Sequence, residues 1–138
     1  MHDTGIASHE WGAIVLDAQA VSLWLDQDRR MLTRLRTLAE METPLVVCAN
    51  TIIELARHPA HRRLDWFLLR ARIEPVTRSV AQSAATLLRD AGMSGHSHAI
   101  DASVAAVALE QPSPSAIMTS DPDDMYQLCD DRAYILRV

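Results

Sequence analysis

Lysine is missing altogether from these 138 residues, and all 13 basic side chains are Arg. That absence removes several ways of handling phosphate. A nucleotide-binding P-loop needs a Gly-rich loop ending on Lys, and the four glycines, Gly5, Gly12, Gly92 and Gly95, form no such loop. Receiver domains and haloacid-dehalogenase-like phosphatases, which also place Asp at strand ends, need a site Lys as well. Long apolar runs are missing too: none approaches the roughly 18–20 residues that span a bilayer, so no membrane association is expected. The opening stretch MHDTGIASHEWG lacks the basic and then apolar segments of a secretory signal. Cysteine is scarce. Cys48 and Cys129 lie in apolar or helical stretches rather than at a disulfide-framework spacing, as expected of reduced thiols in a cytoplasmic protein.

What remains is the composition of a soluble globular chain, 49% hydrophobic and 22% charged. The length suits one domain, expected over residues 13–138, with 1–12 set apart as an N-terminal extension. The net charge of −5 argues at first against a nucleic-acid partner. Its distribution changes that. Residues 29–89 hold 11 Arg against 5 acids, while the flanks hold 2 Arg against 13 acids. One small domain thus carries a basic stretch and an acidic pole.

Apolar runs and helical periodicity alternate along the chain. Ala13–Leu16, Leu45–Cys48, Ile73–Val76, Ala116–Thr119 and Ala133–Val138 read as five short strands. Helices are expected over Ala18–Leu25, over Asp28–Glu40 with Asp28 as N-cap, and after Thr51 as a cap. Others are expected over Arg62–Arg72, from Ser79 to a C-terminal Gly92, over Ala99–Leu109 after a loop at Met93–His98, and over Asp121–Asp130 opened by Pro122. Buried strands separated by helices are the pattern of an α/β protein whose parallel sheet is covered on both faces, a three-layer α/β/α arrangement.

In such sheets sites form beyond the carboxyl ends of the strands. Asp17 follows the first strand directly, and Asp121 follows the fourth by one Ser. Glu54 lies on the helix after the second strand, and Asp101 near the start of the helix after the Met93–His98 loop. Any one of these acids alone reads more simply as a cap; the joint placement of four favours a site. Clustered carboxylates raise one another's pKa, and a divalent cation removes that cost. Hard oxygen ligands without Cys suit Mg²⁺ or Mn²⁺, the cations of phosphodiester hydrolysis. Asp123 and Asp124 suit a helix dipole, with a further place for Asp124 around a metal.

The segments AIVLDAQAVSLWL, TIIELAR, AIDASVAAVAL and AIMTSDPDDM, in that order and at those distances, resemble the PIN-domain ribonucleases, especially the VapC-type toxins. The resemblance runs from Ala13 to Val138. It implies a five-stranded parallel sheet between helices and Mg²⁺- or Mn²⁺-dependent cleavage of RNA to 5′-phosphate and 3′-hydroxyl ends. It also implies that Asp17, Glu54, Asp101 and Asp121 are the metal ligands, with Ser120 supporting them by hydrogen bonding. One departure stands out: many members carry a further acid three residues before the position of Asp101, and this chain has His98 there. That weakens a second metal site more than the first. A His at that place can still bind a metal or hold a water, which makes His98 a supporting candidate; residues 95–98 could suggest a transition-metal site with Asp101, against the simpler reading of two incidental histidines in a flexible loop.

Arg57, Arg62, Arg63 and Arg70 follow Glu54 and are candidates to hold an RNA backbone beside the acidic rim, against the simpler reading of a solvated helix face. The resemblance further implies an antitoxin partner and a homodimer, for which the apolar residues Trp24, Leu25, Trp66 and Phe67 are candidate contacts. The competing reading is a catalytically silent PIN fold that serves as a protein-binding module.

Overall fold

Five short strands form a single parallel sheet: β1 (Ala13–Leu16), β2 (Leu45–Cys48), β3 (Arg72–Glu74), β4 (Ser115–Thr119) and β5 (Tyr134–Arg137), in the order β3-β2-β1-β4-β5. This is a computed structural model that describes residues 10–138. The proposed extension over residues 1–12 therefore lies mostly outside the described residues. Within it, Trp11 is buried and packs edge-on against Tyr134, with ring centroids 5.2 Å apart.

The helices are α1 (Ala18–Leu25), α2 (Arg29–Glu40), α3 (Ala49–Glu54), α4 (Leu64–Leu68), α5 (Arg78–Ala91), α6 (Gly95–Leu109) and α7 (Pro122–Cys129). The strand period of two divides them into two layers. Ile14 and Leu16 face one way and join Trp24 of α1, Leu38 of α2 and Phe67 of α4. Ala13 and Val15 face the other and join Leu87 of α5, Val104 of α6 and Leu128 of α7. All four residues of β1 are fully buried, because this central strand is covered on both faces. The three-layer α/β/α architecture is the one the sequence pattern predicts.

Local signals account for several boundaries. Asp28 caps α2, its carboxylate accepting from Met31 N at 2.9 Å. Gly92 ends α5 at φ 65°, a left-handed conformation that favours glycine. Other boundaries differ from expectation. Thr51 is not a cap: β2 runs straight into α3, leaving Thr51 buried inside the helix. The helix expected over Arg62–Arg72 is a 3₁₀ turn at His61–Arg63 followed by the five-residue α4. Thr77, rather than Ser79, opens α5, its hydroxyl accepting from Val80 N at 3.1 Å. The expected loop before Ala99 is already helical, since Ser94 caps α6 four residues earlier.

Trp24, Leu25 and Phe67 are spent in the core, Trp24 packing against Phe67 with centroids 5.4 Å apart, and cannot form an outer contact face. Of the candidate contact residues only Trp66 is exposed, alongside Ile53 and Leu69. Among the described residues no helix is long and apolar enough to cross a membrane.

Gly12 enters β1 by donating its N–H to the Pro114 carbonyl at 2.8 Å. A Cβ added there would fall onto the Pro112 carbonyl. Gly12→Ala is therefore expected to destabilise the fold by about 1–3 kcal/mol, as overpacking does, measured by thermal or urea unfolding.

Candidate active site

The sheet order creates the site. From β1 the chain moves outward through β2 and β3, then returns to place β4 and β5 on the other side. The loops leaving β1 and β4 therefore diverge, and a crevice opens between them at the carboxyl edge. Asp17 and Asp121 stand on its two lips. Asp17 N donates to Met118 O of the neighbouring strand at 3.1 Å, fixing the backbone at the exit from β1. The Asp17 carboxylate caps α1, with Oδ1 accepting from Ala20 N at 2.9 Å.

Thr119, the last residue of β4, joins the two lips. Its fully buried hydroxyl bonds to the Asp17 side chain and accepts from Asp121 N at 2.9 Å. Sequence reasoning used Thr119 only as a strand residue and gave the supporting hydroxyl to Ser120, which is exposed here. The available signal was position: in a buried strand ending Thr-Ser-Asp, the last inward side chain is the Thr.

Glu54 ends α3, and Asp101 sits one turn into the regular part of α6; both line a cleft of about 270 Å³ with His96 and Ile100. The electrostatics link these acids. Burial raises Asp17 above the usual carboxylate range, hydrogen bonds from Thr119 and Ala20 pull it partly back, and Asp101 raises it again. Glu54 is raised by desolvation first, although it stands at the exposed mouth of the cleft, and then by Asp101 and Asp17. Burial also raises Asp101, with Asp121 adding to it and His98 opposing. Asp121 is raised chiefly by a hydrogen bond with Asp124, then by desolvation and the Asp124 charge. The four predicted acids thus form one interacting set, with Asp124 as a fifth member.

His98 belongs to the same set. Its φ of −127° and ψ of 18° interrupt α6, and its Nδ1 lies 3.5 Å from Asp101 Oδ2 and 3.6 Å from Asp124 Oδ2. His98 is therefore not a loop residue turned to solvent, whereas His96 is exposed.

The arginines separate. Arg57 is exposed just beyond Glu54, and Arg62 and Arg63 line a cleft of about 370 Å³ against Leu25, Asp26 and Gln27. That is the far end of α1, about 12 Å along the helix from Asp17. Arg70 is not brought to this rim. It precedes β3, at the opposite edge of the parallel sheet, where it lies over Trp66 at 5.0 Å and lines a cavity with Thr43 and Leu45.

The family model for the PIN domain matches residues 14–130, which include every carboxylate of the rim. The chain belongs to the PIN domain family. Solved structures that share its fold include two toxin–antitoxin complexes. VapBC2 from Rickettsia felis, crystallised bound to a DNA fragment from its promoter, superposes at a TM-score of 0.68 with 13% identity, covering 91% of this chain and 98% of its own. FitAB bound to an IR36 DNA fragment gives a TM-score of 0.65 with 21% identity, covering 90% of this chain and 94% of its own. No curated protein sequence matches the chain.

PIN domains are usually nucleases and typically bind divalent metals. The residues of this PIN domain fit such an ion. One ligand atom from each of His98, Asp101 and Asp124 lies within 4.8 Å of the other two, close enough for a single cation to touch all three. Asp17, Glu54 and Asp121 are not in that group but interact with it by charge, through Asp101 and Asp124. The chemistry of the donors, mostly carboxylate oxygen with no thiolate, suits a hard or borderline dication.

Because the folded pKa values of these carboxyls are raised, the folded chain holds protons to higher pH than the unfolded chain. The resulting stability is present below the ordinary carboxylate range and lost as pH rises through the raised values. Asp101→Asn removes one repelling charge and is expected to raise the thermal midpoint of the metal-free protein by about 2–4 °C at pH 7.5, and by less at pH 4. Added Mn²⁺ should stabilise the native protein more than the variant. A variant no more stable than the native chain at pH 7.5 would refute a mutually destabilising cluster.

Proposed function

We propose that this PIN domain is a divalent-cation-dependent endoribonuclease, using Mg²⁺ or Mn²⁺, that leaves 5′-phosphate and 3′-hydroxyl ends. The observation that carries the proposal is the convergence of Asp17, Glu54, Asp101 and Asp121 on one crevice, where all four are raised, three chiefly by burial and Asp121 chiefly by its bond to Asp124. A fold kept only for binding protein has no physical reason to retain such a set, which argues against the silent-module reading. A cation held there supplies polarisation of the scissile phosphodiester and stabilisation of charge on the leaving oxygen.

The chain's own residues divide the remaining work. Asp17 is the most enclosed of the four carboxylates, and Thr119 fixes its orientation while tying down Asp121. Glu54, at the cleft mouth, faces the side from which substrate enters. Arg57, Arg62 and Arg63 offer exposed guanidinium groups for the RNA backbone along the α3–α4 segment. Ser120, exposed beside Asp121, is a lesser supporting group.

We further assign the chain to the toxin side of a toxin–antitoxin pair, acting in the cytoplasm, with an antitoxin as partner and a homodimer as its working form. The likeness to VapBC2 and FitAB supports this assignment. Exposed Ile53, Trp66 and Leu69 offer apolar area for a protein contact.

Purified protein freed of any bound inhibitor should degrade RNA with Mg²⁺ or Mn²⁺ and stop with chelator. Asn caps a helix as well as Asp, so Asp17→Asn should keep α1 intact and still lose activity. Thr119→Val should cost about 10–100-fold in activity, as losing an orienting partner does. Native protein as inert as Asp17→Asn across several RNAs and both metals would sink the enzyme reading. In the same assay Arg62→Ala with Arg63→Ala should raise KM, most at high salt, and leave kcat nearly unchanged.

A further inference from the structure

Burial and hydrogen bonding set one nitrogen apart. His98 Nδ1 is shielded from solvent and makes no hydrogen bond of ordinary length, its electrostatic partner Asp101 standing off at 3.5 Å, although its ring is partly exposed. Buried polar atoms without partners are rare and call for a cause. The neighbours of this one are Asp101 Oδ2 at 3.5 Å and Asp124 Oδ2 at 3.6 Å. An imidazolium acting as counter-ion to a carboxylate closes to about 2.7–2.9 Å. Here the nitrogen stands back from both oxygens by nearly equal amounts, as donors do around a common centre. The break in α6 at His98 allows this, because it frees the residue from the regular helix direction and lets one side chain meet Asp101 of its own helix and Asp124 of α7.

We propose that His98 Nδ1 is a direct ligand of the cation, with Asp101 and Asp124, and that the site consequently selects Mn²⁺ over Mg²⁺. Imidazole nitrogen is a poor donor to Mg²⁺, which favours oxygen ligands and retained water, and a better one to first-row transition metals. The proposal deepens the nuclease reading by naming the cation, and rests on that reading only for the cation's role. Its geometry stands without it.

The test is metal binding by the whole protein in the absence of RNA. Mn²⁺ and Mg²⁺ affinities are measured by calorimetry for the native chain, His98→Ala and His98→Asp, with folding checked by circular dichroism. Pulsed electron paramagnetic resonance of bound Mn²⁺ reads nitrogen coupling directly. The native protein should show ¹⁴N coupling that both variants lose. His98→Ala should bind Mn²⁺ at least about tenfold more weakly, in the range expected for lost ligand support. His98→Asp should bind Mg²⁺ more tightly, so that the ratio of Mn²⁺ to Mg²⁺ affinity falls.

If His98 is instead a counter-ion, His98→Ala will bind Mn²⁺ more tightly, because a competing positive charge is gone. That outcome, bound Mn²⁺ without ¹⁴N coupling, or no Mn²⁺ binding at all, overturns the proposal. Nitrogen-coupled Mn²⁺ on a protein that cuts no RNA would leave the proposal standing and remove the nuclease reading. RNA cleavage with Mn²⁺ free of nitrogen coupling would do the reverse.

Discussion

Negative charge gathered at one sheet edge is the constraint around which this molecule is organised. Beyond the burial each carboxyl feels, Asp101 raises Asp17 and Glu54, Asp17 raises Glu54, Asp121 raises Asp101, and Asp124 raises Asp121. Such a cluster opposes folding in the absence of a counter-charge, so the surrounding structure must hold it rigidly. The parallel pairing of β1 with β4, Leu16 opposite Met118, sets the distance between the two lips of the crevice. Thr119 closes that span with one buried hydroxyl serving both sides. Behind them the central strands are buried on both faces, which leaves little freedom for the acids to relax apart.

The parts of this arrangement differ in how visible they are in the amino-acid order. Strand ends are visible: AIVLD and AIMTSD each show a buried run meeting an acid, so Asp17 and Asp121 can be placed from local pattern alone. Glu54 and Asp101 cannot, because a helical position says nothing of which wall the side chain faces until the layers are packed. Resemblance to a family supplied those two. The helix expected over Arg62–Arg72 fails for a related reason. Its apolar stripe is real, but Phe67 is drawn to Trp24 and the chain must then turn at once to reach β3. Tertiary packing, not periodicity, ends α4 after five residues.

His98 shows what a linear reading hides. In sequence it is one of two histidines in a Gly- and Ser-flanked stretch, and only its place three residues before Asp101 separates it from His96. In the fold one ring is exposed and the other stands between two carboxylates on different helices. Asp124 is subject to the same effect. As a first-turn acid it suits the positive end of α7, but a helix N-terminus built against the exit of β4 also delivers that acid to the crevice. Capping and site chemistry are therefore one placement here, and assigning Asp124 to the first alone understates it.

The basic stretch is likewise thinned by folding. Of its 11 arginines, Arg72 pairs with Glu74 at 2.8 Å, Arg34 bonds to the Arg137 carbonyl at 2.7 Å, and Arg70 lies at the far edge of the sheet. Of the candidate RNA contacts, Arg57 stays exposed just beyond Glu54, while Arg62 and Arg63 stand at the far end of α1. Three guanidinium groups along the α3–α4 segment cannot offset five carboxyl groups at the crevice for an approaching polyanion. A phosphate drawn to the arginines would be repelled from the crevice unless the carboxylates were first neutralised. On the proposed nuclease reading, a dication at His98, Asp101 and Asp124 would offset part of that charge and leave the arginines to position the strand. On that reading the cation is as much a condition for substrate entry as for bond cleavage.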